Sequence, residues 1–337
     1  MKKIVFFLIL CLNFSCNNLE KKQSKVEIPT GMIFIQGGEF LMGADNKQAM
    51  RDEYPQHKVL INSFLMDETE VTNADFKKFI ESTGYLTTAE RKIDCDYLKK
   101  YLPPNTPKPH YSLLAPSSLV FFESQTKNLN DFSQWWKLQK EVNWKHPYGK
   151  ESTIDTILDH PVIHVSWDDA VAYCNWKGRR LPTEAEYEYA MRSGNSNTIY
   201  TWGNEPVGTG TQKANIWQGN FPSNNISSDE FYYTSPVKSF EKNDFGLYDI
   251  SGNVWEWCSD LYHSDYYSTI SNGLANNPKG PIKSYDPNDP FSSKRVMRGG
   301  SFLCNDSYCS GFRNSMRMKS TPDSSSQHVG FRTVLDI

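Results

Sequence analysis

From Thr30 the chain reads TGMIFIQGGEFLMG, two short apolar stretches flanking Gly37-Gly38, a pattern that predicts a β-hairpin turned at glycine. Val59 to Met66, in HKVLINSFLMDE, fits one strand. Thr72-Asn73 then caps a helix whose apolar positions Phe76, Phe79 and Ile80 follow helical spacing. Ser166 caps a second helix that runs through Ala170, Val171 and Cys174 and stops at Gly178. Thr183 opens a third, with Glu186 completing a capping box. Beyond it the chain is turns and short strands, without a fixed-period repeat or a low-complexity tract. Residues 92–158 are the least regular part: Pro103, Pro104, Pro107 and Pro109 precede QWWKLQKEVNWKHPYG. They read as a long loop-bearing excursion from a single domain, not as a second domain.

Composition supports that picture. With 337 residues the chain can bury a sizeable core, and its 9 Trp, 18 Tyr and 19 Phe with dispersed Gly and Pro suit a loop-rich α+β fold. A net charge of −3 without a large basic block favours neither nucleic acid nor an anionic membrane surface as partner. The N-terminus MKKIVFFLILCLNFSC has a basic start and an apolar run too short to span a bilayer, the shape of a secretory signal. Ser15-Cys16 ends it like a bacterial lipobox, although Asn13 stands where Leu is usual. The expectation is therefore a signal over 1–16 and a polar tether over 17–30. The protein would be exported and held in the cell envelope by a lipid on Cys16, with an ordinary cleaved signal as the alternative. Export opens Cys95, Cys174, Cys258, Cys304 and Cys309 to disulfide formation, and an odd number leaves at least one free.

The stretch RVMRGGSFLCNDSYCSGFR sets Cys304 and Cys309 five residues apart. Spacing alone favours a small disulfide loop. Two thiolates are also soft ligands of the kind Cu(I) takes, helped if Arg298 or Arg313 lowers a thiol pKa. His160 and His164 in HPVIH form a second candidate metal pair, but H-E-x-x-H is absent.

Taken together, GGEFLMG, ETEVTNADFKKFIESTGY, HPVIHVSWDDAVAYCNWKGRRLPTEAEYEYA, YTWGNEP, ANIWQGNFP, FGLYDISGNVWEWCSD, RGGSF and GFR resemble the formylglycine-generating enzyme (sulfatase-modifying factor) family, from roughly Gly31 to Arg332. The resemblance implies one compact α+β domain over 31–337, related to the C-type lectin fold. Fold alone does not name the function. The superfamily includes copper oxidases that make formylglycine, iron-dependent sulfoxide synthases and bacterial envelope lipoproteins. The iron relatives need H-x3-H-x-E, and Ser166 stands at the Glu position, so His160 and His164 read as structural.

The oxidase branch carries R-G-G-S-x-x-C-x-x-x-x-C, met here by Arg298, Gly299, Gly300, Ser301, Cys304 and Cys309; Thr321 to Ser325, TPDSS, also resembles it. By this resemblance Cys304 and Cys309 hold Cu(I), with room for a substrate cysteine from a C-x-P-x-R segment of an unfolded sulfatase. With O₂ a hydrogen leaves the substrate Cβ, and the thioaldehyde hydrolyses to Cα-formylglycine. An oxidised, metal-free pair would be a resting form. Ser301, Tyr308 and Trp255 fall at active-site positions, and His328 stands where the oxidases carry Asn, with its role open.

The resemblance also implies two calcium sites: Asn215, Ile216, Asp229 and Phe231 for the first, Asp249, Gly252, Val254 and Glu256 for the second. Oxygen donors on loops are what a hard cation needs. The family's disulfides do not carry over, because Thr333, Met191 and Asn314 replace half-cystines. Cys174 and Cys258 then read as small buried hydrophobes and Cys95 as a loop thiol. The expected protein is a monomer. The competing function is a non-enzymatic envelope lipoprotein that uses the same fold as a scaffold, against which the intact cysteine pair argues.

Overall fold

Gly37 decides the path of the N-terminal strands. In the computed structural model, which describes residues 27–99, 103–110 and 114–337, a Cβ on Gly37 would lie 2.3 Å from the carbonyl oxygen of Ile61. The chain therefore crosses another backbone at this point and does not turn back on itself. Strand β1 (Met32–Ile35) and strand β2 (Gly38–Met42) enter different sheets, so the expected hairpin does not form. The single strand expected over Val59 to Met66 is likewise two, β3 (His57–Ile61) and β4 (Phe64–Asp67). They part at Asn62-Ser63, where Ser63 Oγ accepts the Gly37 N–H at 2.9 Å. β3 pairs antiparallel with β2, and β4 with β1.

The helices follow their caps. Thr72 accepts the Asp75 N–H and opens α1 (Asn73–Thr83), which ends at left-handed Gly84. A short α2 (Cys95–Leu98) starts at Cys95. The irregular excursion contains a five-residue hairpin, β5 (Ser117–Phe121) with β6 (Trp136–Lys140). α3 (Trp167–Lys177) and α4 (Glu184–Met191) start at the expected caps, Thr183 in its capping box and Ser166 in a box with Asp169 that was not expected, and Gly178 ends α3.

After α4 come the pair β7 (Gly219–Asn220) and β8 (Asn224–Asn225), then β9 (Trp255–Leu261), α5 (Tyr266–Ile270), β10 (Leu274–Asn276), β11 (Arg295–Arg298), β12 (Met318–Ser320), β13 (Val329–Gly330) and β14 (Val334–Asp336). The sheets are β1-β4-β14, β10-β3-β2 and β12-β11-β9-β13. The first two sheets close over one apolar cluster with α4, and α1 and α3 pack with Trp255, Trp257 and Cys304 in another.

Every residue of α4 is buried, three glutamates included. Buried carboxylates persist only when paired, and Arg298 of β11 meets Glu188 at 2.6 Å while Arg317 meets Glu184 at 2.7 Å. These pairs fix the strand from which the Gly299-Gly300-Ser301 turn departs. The signal expected over 1–16, with its lipobox-like Cys16, and most of the expected tether lie outside the described residues, among which no helix is long and apolar enough to cross a membrane.

Candidate functional site

The turn after β11 builds a pocket for one sulfur. Gly299 and Gly300 take φ of +93° and +84°, conformations that glycine adopts without strain. The chain then folds so that Cys304 N–H reaches Ser301 O at 2.8 Å. Cys304 is buried, its Sγ 3.4 Å from the donating Ser301 N–H and 3.8 Å from Ser301 Oγ. Asn305 O next collects the N–H groups of Tyr308, Cys309 and Ser310 at 3.0–3.1 Å, which returns half-buried Cys309 to Cys304.

All five described cysteines are free thiols. Burial raises the Cys304 pKa, but a hydrogen bond from Cys309 and donors from Ser301 and Gly311 outweigh it, leaving Cys304 below the usual thiol range. Burial and the neighbouring Cys304 push Cys309 well up. The pair thus favours one thiolate beside one thiol. Arg298 and Arg313, expected to supply the positive charge, do not: Arg298 is committed to Glu188 and Arg313 to Glu53. Short-range donors do the work instead.

Ser301, Cys304, Tyr308, Cys309, Trp255 and His328 line one cavity of about 220 Å³. Tyr308 stacks on Phe221 at 4.5 Å and 11°, and burial pushes its phenol up to about 12. His328 packs on Trp136 with ring centroids 4.6 Å apart, and its Nδ1 faces Ser326 Oγ at 3.1 Å. Burial, with a smaller push from nearby His164, takes the His328 imidazole down to about 3, so it is neutral. A second cavity of about 440 Å³ shares Trp136, Tyr308, Met318, Lys319 and His328 with the first and adds Leu119 and Phe132. Together they form an aromatic cleft that leads to the thiols. His160 and His164 line neither cavity: His164 has both ring nitrogens bonded, to Ser118 Oγ and Pro147 O, and His160 Nδ1 faces Thr234 Oγ1 at 3.0 Å.

Two oxygen-rich clusters flank the thiol turn. In the first, Asp229 accepts the N–H groups of Ile216 and Phe231 at 3.2 and 3.1 Å. The Gln218 amide nitrogen bridges Ile216 O at 2.5 Å and Asp229 Oδ2 at 2.7 Å, and buried Asn215 Oδ1 has no partner. In the second, Glu256 is held by Arg332 at 2.7 and 2.8 Å and by Tyr187 at 2.9 Å. Asp249 Oδ1 is buried without a partner, and burial pushes this carboxyl up to about 6. Glu70 joins them, its Oε2 also buried and unpartnered, 3.9 Å from Arg332. Three buried carboxylates around one guanidinium leave excess negative charge that a divalent cation would neutralise. Among the described residues no three His, Cys, Asp or Glu side chains make a metal centre by themselves. A cation here would need amide and carbonyl oxygens too, as Asn215, Ile216, Phe231, Gly252 and Val254 would offer.

A model of the sulfatase-modifying factor enzyme 1-like domain matches residues 17–337. The chain belongs to this family. It is 44% identical over 311 residues to the formylglycine-generating enzyme of Bos taurus, covering 91% of this chain and 75% of that one. It is also 35% identical over 306 residues to a Mus musculus relative named inactive C-alpha-formylglycine-generating enzyme 2, covering 89% and 84%. PvdO from Pseudomonas aeruginosa shares the fold, with a TM-score of 0.58 at 21% identity over 91% of this chain and 94% of that one.

Within the family fold, the residues that sequence reasoning missed are those brought from far away. Trp136 and Phe132 come from the Pro-rich excursion, whose irregular pattern hid a hairpin. Glu70 sits two residues before a helix cap, where an acid carries no signal of its own.

Proposed function

We propose that this chain is an oxidase that converts a cysteine in a C-x-P-x-R segment of an unfolded sulfatase to Cα-formylglycine with O₂, using Cu(I) at Cys304 and Cys309. The observation that carries the reading is a thiol pair, buried Cys304 beside half-buried Cys309, with Cys304 held below its usual pKa, at the end of an aromatic cleft. Two sulfurs suit a soft monovalent ion, which supplies O₂ activation when bound. The chain's residues do the rest. In the metal-free pair the Cys309 thiol, then Ser301 and Gly311 donors, hold the negative charge on Cys304. Trp255, Phe221 and Trp136 wall the cavity and limit water around it. Tyr308 keeps its hydroxyl proton at neutral pH and His328 stays uncharged, so both serve as hydrogen-bonding groups.

The side chain of the target loses two electrons and two protons to O₂. Water then replaces the thioaldehyde sulfur by oxygen and releases hydrogen sulfide. The wide outer cleft suits an extended, unfolded segment better than a folded surface. Calcium at the two oxygen clusters is part of this reading, supported by the unpartnered oxygens of Asn215 and Asp249. Export with a lipid on Cys16 is supported by the N-terminal sequence.

The test is co-expression with a C-x-P-x-R peptide, followed by mass spectrometry of the peptide under oxygen. Conversion of CH₂SH to CHO is expected. Unchanged cysteine with copper-loaded protein, or full activity in Cys309→Ser, would overturn the proposal. The inactive-named relative favours a second reading, a binding module without chemistry; peptide capture without conversion would support it.

A further inference from the structure

Asn253 lies between the two oxygen clusters and touches both. It is 1% exposed, and its φ is +56°. Its Oδ1 accepts from Asn215 Nδ2 at 3.3 Å and from Ser235 N–H at 3.0 Å. Its Nδ2 donates to Glu70 Oε1 at 3.1 Å and to Ser235 O at 3.4 Å. One amide therefore uses its whole hydrogen-bonding capacity.

The consequence lies in which atoms are left over. Asn215 has its amide nitrogen tied to Tyr233 O and Asn253, so its Oδ1 is the unpartnered atom. Glu70 has Oε1 tied to Asn253, so its Oε2 is the unpartnered atom. The same side chain orients a free oxygen in each cluster. Its chain neighbours Gly252 and Val254 are the proposed carbonyl ligands of the second cluster.

The backbone extends this link to the thiols. Asn253 N–H donates to Asn215 O at 2.8 Å, and Asn253 O accepts from Phe302 N–H at 2.9 Å. Gly252 N–H donates to Gly299 O at 2.9 Å, and Trp217 N–H to Cys304 O at 3.0 Å. Both cation loops are thus bonded directly to the turn that carries Cys304. A Cβ on Gly252 would lie 2.5 Å from Asn215 O, which leaves the two loops no room to shift independently.

We propose that Asn253 is a positioning residue that couples the two cation sites to each other and both of them to the thiol turn. The inference rests on the calcium reading above. A cation at the first site fixes Asn215, which fixes the Asn253 amide, which sets Glu70 and the flanking carbonyls for the second ion. Binding at the two sites is then cooperative, and loss of either ion loosens Cys304 and Cys309.

Calcium titration calorimetry on the chelator-treated full chain tests this, with Asp229→Asn to weaken the first site and Asn253→Gly to remove the bridge. Glycine keeps the left-handed backbone and both backbone hydrogen bonds. Weakening the first site is expected to lower second-site affinity about 5-fold or more, the range of ordinary coupling. The same change in the Asn253→Gly background is expected to have no further effect. Chelation is also expected to speed iodoacetamide labelling of Cys309 several-fold in the wild type. Two sites that titrate independently in the wild type would overturn the coupling while leaving the calcium reading intact, as would an equal fall in both backgrounds. Absence of calcium binding would overturn both. Where Asn253→Gly does not fold, the comparison of wild type with Asp229→Asn decides alone.

Discussion

Gly311 lies so close to Cys304 that a Cβ on it would sit 2.5 Å from the Cys304 sulfur, and equally close to the Trp255 ring. The sulfur pocket therefore exists only because residue 311 has no side chain. Gly311→Ala is expected to push Cys304 out of line with Cys309, cost about 1–3 kcal/mol of stability as overpacking does, and weaken Cu(I) binding. Thermal unfolding and a competitive Cu(I) titration check it.

The Cys309 thiol is the foremost group that holds the Cys304 charge against burial. Cys309→Ala is expected to move the Cys304 pKa upward, while Cys309→Ser, which keeps an O–H donor, moves it less. In metal-free protein the depressed Cys304 pKa stabilises the fold above the ordinary thiol range, and that share is lost as pH falls through the lowered value. The pH dependence of thiolate absorbance in the three proteins gives the order.

Local chemistry was legible from the sequence wherever it was carried by neighbours in the chain. Thr72, Ser166 and Thr183 cap their helices as their patterns require, and the Ser301-Cys304 turn lies within one motif. What could not be read was set by distant backbone. Gly37 looked like a turn, but its missing side chain makes room for Ile61, which lies in another strand. Arg298 and Arg313 looked like partners for the thiols because they are near in sequence. Their carboxylate partners, Glu188 and Glu53, come from elsewhere and claim both guanidinium groups. His328 was singled out by its position, yet its partner Trp136 comes from a segment with no readable period.

Arg313 and Glu53 are 260 residues apart and meet through two hydrogen bonds of 2.7 Å, with Ser315 Oγ adding a third at 2.6 Å. The pair clamps the loop after β2 to the segment behind the thiols, and both side chains are buried. Arg313→Ala takes away the guanidinium that pairs buried Glu53, so a loss of about 3–5 kcal/mol is expected. Arg313→Lys recovers part of it, since lysine restores charge but not the paired geometry. Denaturant unfolding of the three proteins checks both statements.

His328 makes acid stability a test of its environment. Its imidazole is held at about 3 by burial, against 6.5 in an unfolded chain. Between those values the unfolded state binds a proton that the native state refuses, so stability falls as pH drops from about 6.5 toward 3. At pH 5 the loss from this one group is about 1–2 kcal/mol, with discount for its partial exposure to the cleft. His328→Asn removes the titration and keeps an amide able to face Ser326 and the thiols. The variant is therefore expected to lose less stability than wild type between pH 7 and pH 5, with the two differing little above pH 7. Urea unfolding at both pH values in metal-free buffer gives the difference, and an equal loss in both proteins would mean that His328 is already protonated in the native cleft.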